Sequence, residues 1–520
     1  MLFSHSVKHR NSNVLRISNW PPATWARVYA ASLLVAVGVF HFATVRPGHV
    51  WGDDFAMYVH HAKNIVEGRP YADTGYIYNP AVPVYGPRMY PPVFPLLLAP
   101  LYKIFGLNLV PMKLEQVVFF LLTLAAVYLF WQHDLGSEYA PAMLAILGFS
   151  PVFWTAKDMV LSDLPFLFFF YAAAVLVQRA PRQSPGWWRW AVLIGVVLYL
   201  AFGTRSAGIS LLAGLPLYDV LKHRKITRLT IVALLVCAGL IALQRYSVGS
   251  GVGGYVGHGY VGQQIRPTVQ TVATNLLAYA RVLASFWVAA TRGMFSFFVL
   301  GTVAMLVAAG LYYRFKQGAT QGATIVEAFL VPYLAVILLW PFAAGVRIVF
   351  PFIPWMVFLA LYGIRCLTAN LAPRYSSAAA GGLLLMIAVP YTLVYRAMDF
   401  GPIRQDSGLA EFNQLCQAVR EDTRADDVLI YFRARALSLY TGRPASTYNY
   451  HGTEQELDLY EHEIHATHLV TTNAFHDDVG FLTRYVERNS SRFDLIYQNA
   501  NFALYRIRPE MQAQSTPPPK

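Results

Sequence analysis

The chain is poor in charge. Asp, Glu, Lys and Arg make up only 13% of its 520 residues, about half of the roughly 25% usual in soluble proteins. A water-soluble chain of this length needs charge to cover its surface, so a soluble multidomain protein is excluded as a description of the whole. Cysteine is scarcer still: Cys237 and Cys366 lie in apolar runs and Cys416 in a polar stretch, which leaves no disulfide framework. Metal-binding spacings such as HExxH or CxxC are absent, as is a Gly-rich loop ending in GKS or GKT. Acidic residues number 28 against 41 basic ones, a net charge of +13. In a membrane protein such an excess belongs on cytoplasmic loops and calls for no nucleic-acid partner.

What fills the chain is apolar: 56% of residues are hydrophobic and the mean hydropathy is +0.40. A helix needs about 20 mostly apolar residues to cross a bilayer. Such runs lie near 27–45, 112–131, 138–155, 159–178, 188–204, 207–221, 229–243, 293–313, 323–341, 348–367 and 376–396. The first follows Lys8, Arg10 and Arg16 and lacks a cleavage pattern, so it reads as an uncleaved helix with a cytoplasmic N-terminus. The stretch Pro91–Phe105, PPVFPLLLAPLYKIF, is short, proline-rich and holds Lys103. Read as interfacial or re-entrant, it leaves about 11 spans. Arg179, Arg182, Arg189, Lys222, Arg224, Lys225, Arg228, Arg314, Lys316, Arg365 and Arg374 then all face the cytoplasm, as the positive-inside tendency asks. Were it to cross, every one would move outside.

The expectation is a mainly α, polytopic transmembrane helical bundle with external interfacial helices. Its external parts are a loop 46–111, a turn 156–163 with Lys157, Asp158 and Asp163, a loop from Gln244 to about Arg292, and the tail after Asp399. The third holds GSGVGGYVGHGYVG, read as a flexible lid. The tail regains charge, with strands expected at 427–432, 467–472, 493–498 and 502–507 and helices at 407–420, 433–441 and 477–489. The chain thus divides into a membrane module 1–398, a small external α/β domain 399–510 and a disordered end 511–520.

Asp53-Asp54 opens a helical pattern with Tyr58, Ala62, Ile65 and Val66 on one face and Gly68 as its C-cap. The pair is either an acidic cap favoured by the helix dipole or a catalytic pair. Arg205, in FGTRSAG, and Arg347, opening RIVFPFIP, lie on the side where basic residues are disfavoured. A phosphate at the outer leaflet accounts for both, since guanidinium holds it with two prongs. Arg88 and Lys103 in the first loop are further phosphate candidates, whereas Arg245 and Arg281 read as interfacial anchors. His60 and His61 are adjacent, so one helix cannot aim both at one ion.

Asp53-Asp54 with Tyr58, Ala62 and Gly68 resembles the acidic first-loop motif of the GT-C superfamily of polytopic glycosyltransferases, in particular bacterial aminoarabinose transferases and protein O-mannosyltransferases. YPPVFPLLLAPLYKIFG resembles their Pro-Pro interfacial helix, and LSDLPF, with Asp163, their second-loop acidic position. GTRSAG, RIVFPFIP and the tail segment ARALSLYTGRPAS resemble further family stretches in the same order. The resemblance implies a polyprenyl-phosphate-linked sugar donor, a glycan, lipid or protein acceptor, and inverting transfer on the external face of the inner (plasma) membrane. It implies Asp54 as general base, with Asp53 as the alternative because Phe55 stands where relatives often carry Glu. Tyr58, Arg88, Lys103, Asp163, Arg205 and Arg347 would surround the substrates among membrane lipids. No cofactor is implied, and a divalent metal stays open. The rival readings are a lipid or small-solute transporter or flippase, a lipid-linked oligosaccharide ligase or polymerase, and a non-catalytic sensor. A transporter calls for charge near the bilayer midplane and repeated halves.

Overall fold

The structure is a computed structural model describing residues 22–50, 52–182, 184–248, 268–288, 293–318, 322–340, 345–405 and 408–508. The basic N-terminal segment, the Gly-rich stretch 249–262 and the end 511–520 lie outside the described residues.

The protein is a multi-pass, mainly helical membrane protein. Its bundle contains α1 (Pro22–Ala43), α4 (Leu109–Gly148), α6 (Asp163–Arg179), α7 (Trp187–Thr204), α8 (Ile209–His223) and α9 (Arg228–Val248). It continues with α11 (Met294–Lys316), α12 (Ile325–Leu338), α13 (Phe352–Leu367) and α14 (Pro373–Ala397). Between these lie α2 (Asp54–Glu67), α3 (Val93–Phe105), the short α5 (Pro151–Ala156) and α10 (Val269–Val288). Seven helices among the described residues, α10 among them, are by themselves long and apolar enough to cross a membrane. With the shorter α6, α8, α12 and α13, helices occupy every stretch expected to span.

Helix α4 covers two of those stretches. Gly136, at φ 73° and ψ −175°, interrupts its helical backbone, a conformation that side chains disfavour and glycine tolerates. The chain folds back there. Lys113 near the start of α4 donates to Arg46 O at 2.7 Å, and Gly148 at its end accepts from His41 Nε2 at 2.8 Å. Both ends of α4 therefore sit at the same end of α1. That end is called the upper face below.

Helix α3 buries Val93, Phe94, Pro95, Leu98 and Ala99 and exposes Leu96, Ile104 and Phe105. Thirteen residues reach only about 20 Å, short of the roughly 30 Å hydrocarbon core. It lies against α2, as an interfacial helix would. Helix α10 was not expected: the stretch read as a loop is helical over Val269–Val288. Gln270, Thr271, Thr274, Asn275, Arg281 and Ser285 interrupt its apolar run, which hid it. Asn275 Nδ2 donates to Leu338 O and Trp340 O at 3.0 and 2.7 Å, while Phe286 meets Phe153 and Tyr391. These partners all lie at the upper face, so α10 runs along that face rather than through the bundle.

The tail is built from α15 (Ala410–Asp422), α16 (Ala434–Thr441) and α17 (Glu454–Glu463) around a sheet. Its strands are β1 (Tyr76–Ile77), β2 (Val428–Ile430), β3 (Ala445–Ser446), β4 (Ala466–Thr472), β5 (Phe493–Gln498) and β6 (Phe502–Ile507), in the order β1-β3-β2-β4-β6-β5. The first four are parallel; β6 and β5 close the sheet as an antiparallel hairpin. Strand β1 belongs to the first loop, with Tyr76 in register with Ala445. Phe55, Tyr58, Tyr90 and Phe94 share one hydrophobic core with Phe412, Leu437 and Leu504 of the tail. Tail and first loop thus fold as one cap over the bundle.

Candidate active site

The first loop enters under a clamp. Asp158 accepts from Arg46 N at 3.1 Å and Arg46 Nε at 2.8 Å, and from Lys157 Nζ at 2.9 Å. This ties the loop's start to the 156–163 turn and brings α2 beside Asp163. Tyr58 Oη shares a 2.9 Å hydrogen bond with Ser162 Oγ, and its ring stacks on Tyr90 at 4.7 Å.

The two adjacent carboxylates diverge. Asp53 makes no side-chain cap of its own helix. Its Oδ2 accepts from Arg435 N at 3.1 Å and its Oδ1 from Ala436 N at 3.0 Å, so it caps α16 of the tail from another part of the chain. Those are the amides that the start of a helix leaves unpaired. Burial raises the Asp53 carboxyl above its ordinary 3.8, against the pull of Arg435, Arg433 and the two amides.

Asp54 points the other way. Its Oδ1 accepts from Tyr90 Oη at 2.7 Å and faces Arg435 Nη1 at 3.4 Å; its Oδ2 accepts from Arg347 Nη2 at 2.9 Å. Burial alone would push this carboxyl up, but Arg347, Arg435 and the Tyr90 hydroxyl outweigh it and hold it at about 2. Asp163 sits between two guanidiniums, paired to Arg205 Nη1 and 3.8 Å from Arg347 Nε. Arg435 is 1% exposed. It donates to Tyr90 Oη at 2.9 Å and Pro87 O at 3.1 Å and lies over the Tyr76 ring at 4.6 Å.

The result is one network, Asp53–Arg435–Tyr90–Asp54–Arg347–Asp163–Arg205, drawn from α2, the first loop, α6, α7, the turn before α13, and the tail. Its open point is the Asp54–Arg347 pair, whose side chains are 33% and 37% exposed while the Asp163 side chain is 6% exposed. Asp163 and Arg347 also stand in the wall of a cavity of about 340 Å³, otherwise mostly apolar, with Val152, Leu164, Phe350 and Val394 among its lining.

The structure brings together Asp53, Asp54, Tyr58, Asp163, Arg205 and Arg347. It does not bring in Arg88, exposed near Tyr78 and Tyr460, or Lys103, exposed in the last turn of α3. Arg245 and Arg281 are exposed as well. Tyr90 and Arg435 were missed by the sequence reading. Both lie in segments singled out there, YPPVFPLLLAPLYKIFG and ARALSLYTGRPAS, but nothing local aims them at Asp54. His61 has a positioning role: its Nδ1 pairs with Tyr71 O at 2.8 Å and its Nε2 faces Tyr90 N at 3.3 Å. Among the described residues no three His, Cys, Asp or Glu side chains are grouped to hold a metal ion.

Known proteins match at two levels. The family profile of dolichyl-phosphate-mannose-protein mannosyltransferases matches residues 89–246, from the residue before Tyr90 to the last turn of α9. Among solved structures, ArnT from Cupriavidus metallidurans bound to undecaprenyl phosphate aligns over 96% of this chain and 100% of its own, at TM-score 0.59 and 12% identity. The chain has the GT-C glycosyltransferase fold. The archaeal oligosaccharyltransferase AglB from Archaeoglobus fulgidus, in complex with an inhibitory peptide and a dolichol-phosphate, shares this GT-C fold. It aligns over 89% of this chain and 72% of its own, at TM-score 0.56 and 13% identity. No curated protein sequence matches.

Proposed function

We propose that the protein transfers a sugar from a polyprenyl-phosphate-linked donor to an acceptor hydroxyl, with inversion, on the side of the inner membrane away from the cytoplasm. The observation that carries this is the Asp54–Arg347 contact of 2.9 Å beside a largely apolar cavity that Arg347 helps to line. On this reading a proton acceptor, a phosphate ligand and room for a hydrocarbon tail stand side by side. At about 340 Å³ the cavity falls within the span of ligand cavities, about 300–1,000 Å³. The family profile and the undecaprenyl-phosphate- and dolichol-phosphate-bound relatives support the donor class.

The chemistry follows from the charges. The isoprenyl tail lies in the cavity and the phosphate at Arg347 and Arg205, which Asp163 holds in orientation. An Asp54 carboxyl at about 2 is a weak base, and efficient general bases lie nearer the working pH. A phosphate that draws Arg347 toward itself removes the largest of the influences that depress Asp54. Donor binding therefore raises the basicity of the base. Asp54 then takes the proton of the acceptor hydroxyl as its oxygen attacks the anomeric carbon opposite the phosphate. The glycosidic C–O bond breaks, and polyprenyl phosphate leaves with the electron pair against two fixed guanidiniums. A transporter would place its charges at the midplane; here Asp163 begins α6, Arg205 follows the end of α7 and Arg347 precedes α13.

The test is sugar transfer by the protein in liposomes from a purified polyprenyl-phosphate-sugar, together with mass analysis of envelope glycans in a knockout. Asp54→Asn is expected to abolish turnover while donor still binds. Turnover within a few-fold of wild type would remove Asp54 from the reaction.

A further inference from the structure

The tail sheet ends in a feature that the network above does not use. Strands β1, β3, β2 and β4 are parallel, so their carboxyl ends lie at one edge, where open α/β sheets bind ligands. Each strand is followed there by an aromatic residue: Tyr85 after β1, Phe432 after β2, Tyr450 after β3 and Phe475 after β4. Tyr85, Tyr450 and Phe475 all surround Phe432, with ring centroids 5.9, 5.7 and 4.7 Å away. The Arg433 guanidinium lies over Phe432 at 4.8 Å and Phe475 at 5.1 Å.

Arg433 is half-buried, and its side chain has no hydrogen bond or ion pair among the described residues. Its Nε is shielded from solvent with no partner. Stacking on rings stabilises a guanidinium, but a shielded N–H without an acceptor is costly. The neighbouring Arg435 has an equally shielded Nε without a partner, but its Nη1 and Nη2 face Asp54, Tyr90 Oη and Pro87 O. The acidic groups near the cradle are committed or set aside. Asp53 spends both oxygens on the amides of α16, and exposed Asp477 acts on Tyr85.

We propose that this aromatic cradle binds the acceptor and that the acceptor is a saccharide bearing an anionic group, a carboxylate or a phosphate, held by Arg433. The inference rests on the transferase reading and names its substrate class. Aromatic faces pack against the C–H faces of sugar rings, and a guanidinium resting over two rings keeps N–H donors for an anion. The position fits, because Arg433 is two residues from Arg435, which touches Asp54.

The experiment measures binding to the full-length protein in detergent by saturation-transfer NMR. The probes are methyl glucuronide, glucose 6-phosphate, methyl glucoside and inorganic phosphate. At least one charged sugar is expected to bind about tenfold more tightly than methyl glucoside and than inorganic phosphate, and which one does separates carboxylate from phosphate. Arg433→Gln should bring the charged and neutral sugars to equal affinity, Arg433→Lys should recover part of the difference, and Phe475→Leu should weaken all the sugars. Equal binding of charged and neutral sugars, inorganic phosphate binding as tightly as glucose 6-phosphate, no sugar binding, or an unaltered Arg433→Gln each overturns the proposal. Failure here with normal sugar transfer from the lipid donor removes the acceptor assignment and leaves the transferase. Charged-sugar preference in a protein that transfers no sugar from the lipid donor removes the transferase instead.

Discussion

At the scale of single residues, adjacent acids have separate work because their partners differ. Asp54 is depressed to about 2 by Arg347, Arg435 and Tyr90, so in the resting protein its pairing is complete above the ordinary carboxylate range. It is lost only as pH falls through about 2. Removing a cation reverses part of that shift. In Arg347→Gln the Asp54 carboxyl moves up toward its ordinary 3.8, and the acid limb of kcat/KM moves to higher pH with it. An acid limb that stays in place shows that Arg347 does not set this basicity. Arg347→Ala is expected to cost about 2–4 kcal/mol of transition-state stabilisation, as losing a fixed oxyanion donor does. Arg347→Lys keeps charge but loses the prong that reaches Asp54 while Nε faces Asp163, so its rate should fall between the two. The rate of transfer from lipid donor, with folding followed by thermal melting, measures each. The buried histidines act on stability. Burial lowers His49 and His60 to about 4 and His61 to about 3. Groups depressed in the folded state contribute stability fully above their unfolded value near 6.5, and the contribution is lost as pH falls toward 3–4. Melting temperature should therefore decline across that window, with a shallower slope in His61→Gln. An unchanged slope would assign the acid sensitivity to other groups.

At the scale of elements, the decisive contact joins segments far apart in the chain. Asp53 starts α16, and α16 delivers Arg435 to Asp54. Asp53→Ala removes the acceptor of two helix-start amides, a loss of about 1 kcal/mol or somewhat more, and leaves Arg435 N and Ala436 N buried without a partner. The tail should loosen from the first loop, and limited proteolysis between Asp399 and Ala410 should cut faster than in wild type. Asp53→Asn, which still offers one acceptor oxygen, should retain most turnover, whereas Asp54→Asn should not. Equal losses in the two would mean that the acids share the chemistry. The same element explains what the sequence reading reached and what it did not. Arg205 and Arg347 stand at helix ends on the side read as disfavouring basic residues, so hydropathy and charge point to them. Asp54 and Asp163 are reached instead through the resemblance of their motifs. Arg435 and Tyr90 come together through β1 and β3, two residues each and paired as Tyr76 with Ala445. Strands that short have no period to detect, and pairing across such a distance leaves no local trace. Arg88 and Lys103 were chosen for charge, which says nothing about the exposure that keeps them from the network. Helix α10 escaped because its polar residues suit a helix lying along a face.

At the scale of the whole molecule, helix polarity sorts the charges. Asp163 opens α6, and Arg179 lies in its last turn; Arg189 lies in the first turn of α7, and Arg205 follows its end. Arg347 precedes α13, which ends near Arg365, and α8 runs from beside Arg205 to Lys222 and His223. Arg205 and Arg347 are thus on the upper face, and Arg179, Arg189 and Lys222, which make no ion pair among the described residues, are on the other. Solvated basic residues near span ends hold their side in the cytoplasm, whereas arginines neutralised by Asp54 and Asp163 add little to that bias. The upper face, with the tail and the network, is therefore expected to lie outside the cytoplasm. On the proposed function, such a site would meet a donor that cannot diffuse through water at the height of its phosphate, on the side where envelope acceptors lie. A reporter active only outside the cytoplasm should be active when fused after Arg508 and silent when fused after Lys225. The reverse pattern would invert the orientation and move the acceptor to the cytoplasm. The same signal from both fusions, silent or active, would mean that α10 crosses the membrane after all, since one more span places the two ends of the chain on the same side as the loop between α8 and α9.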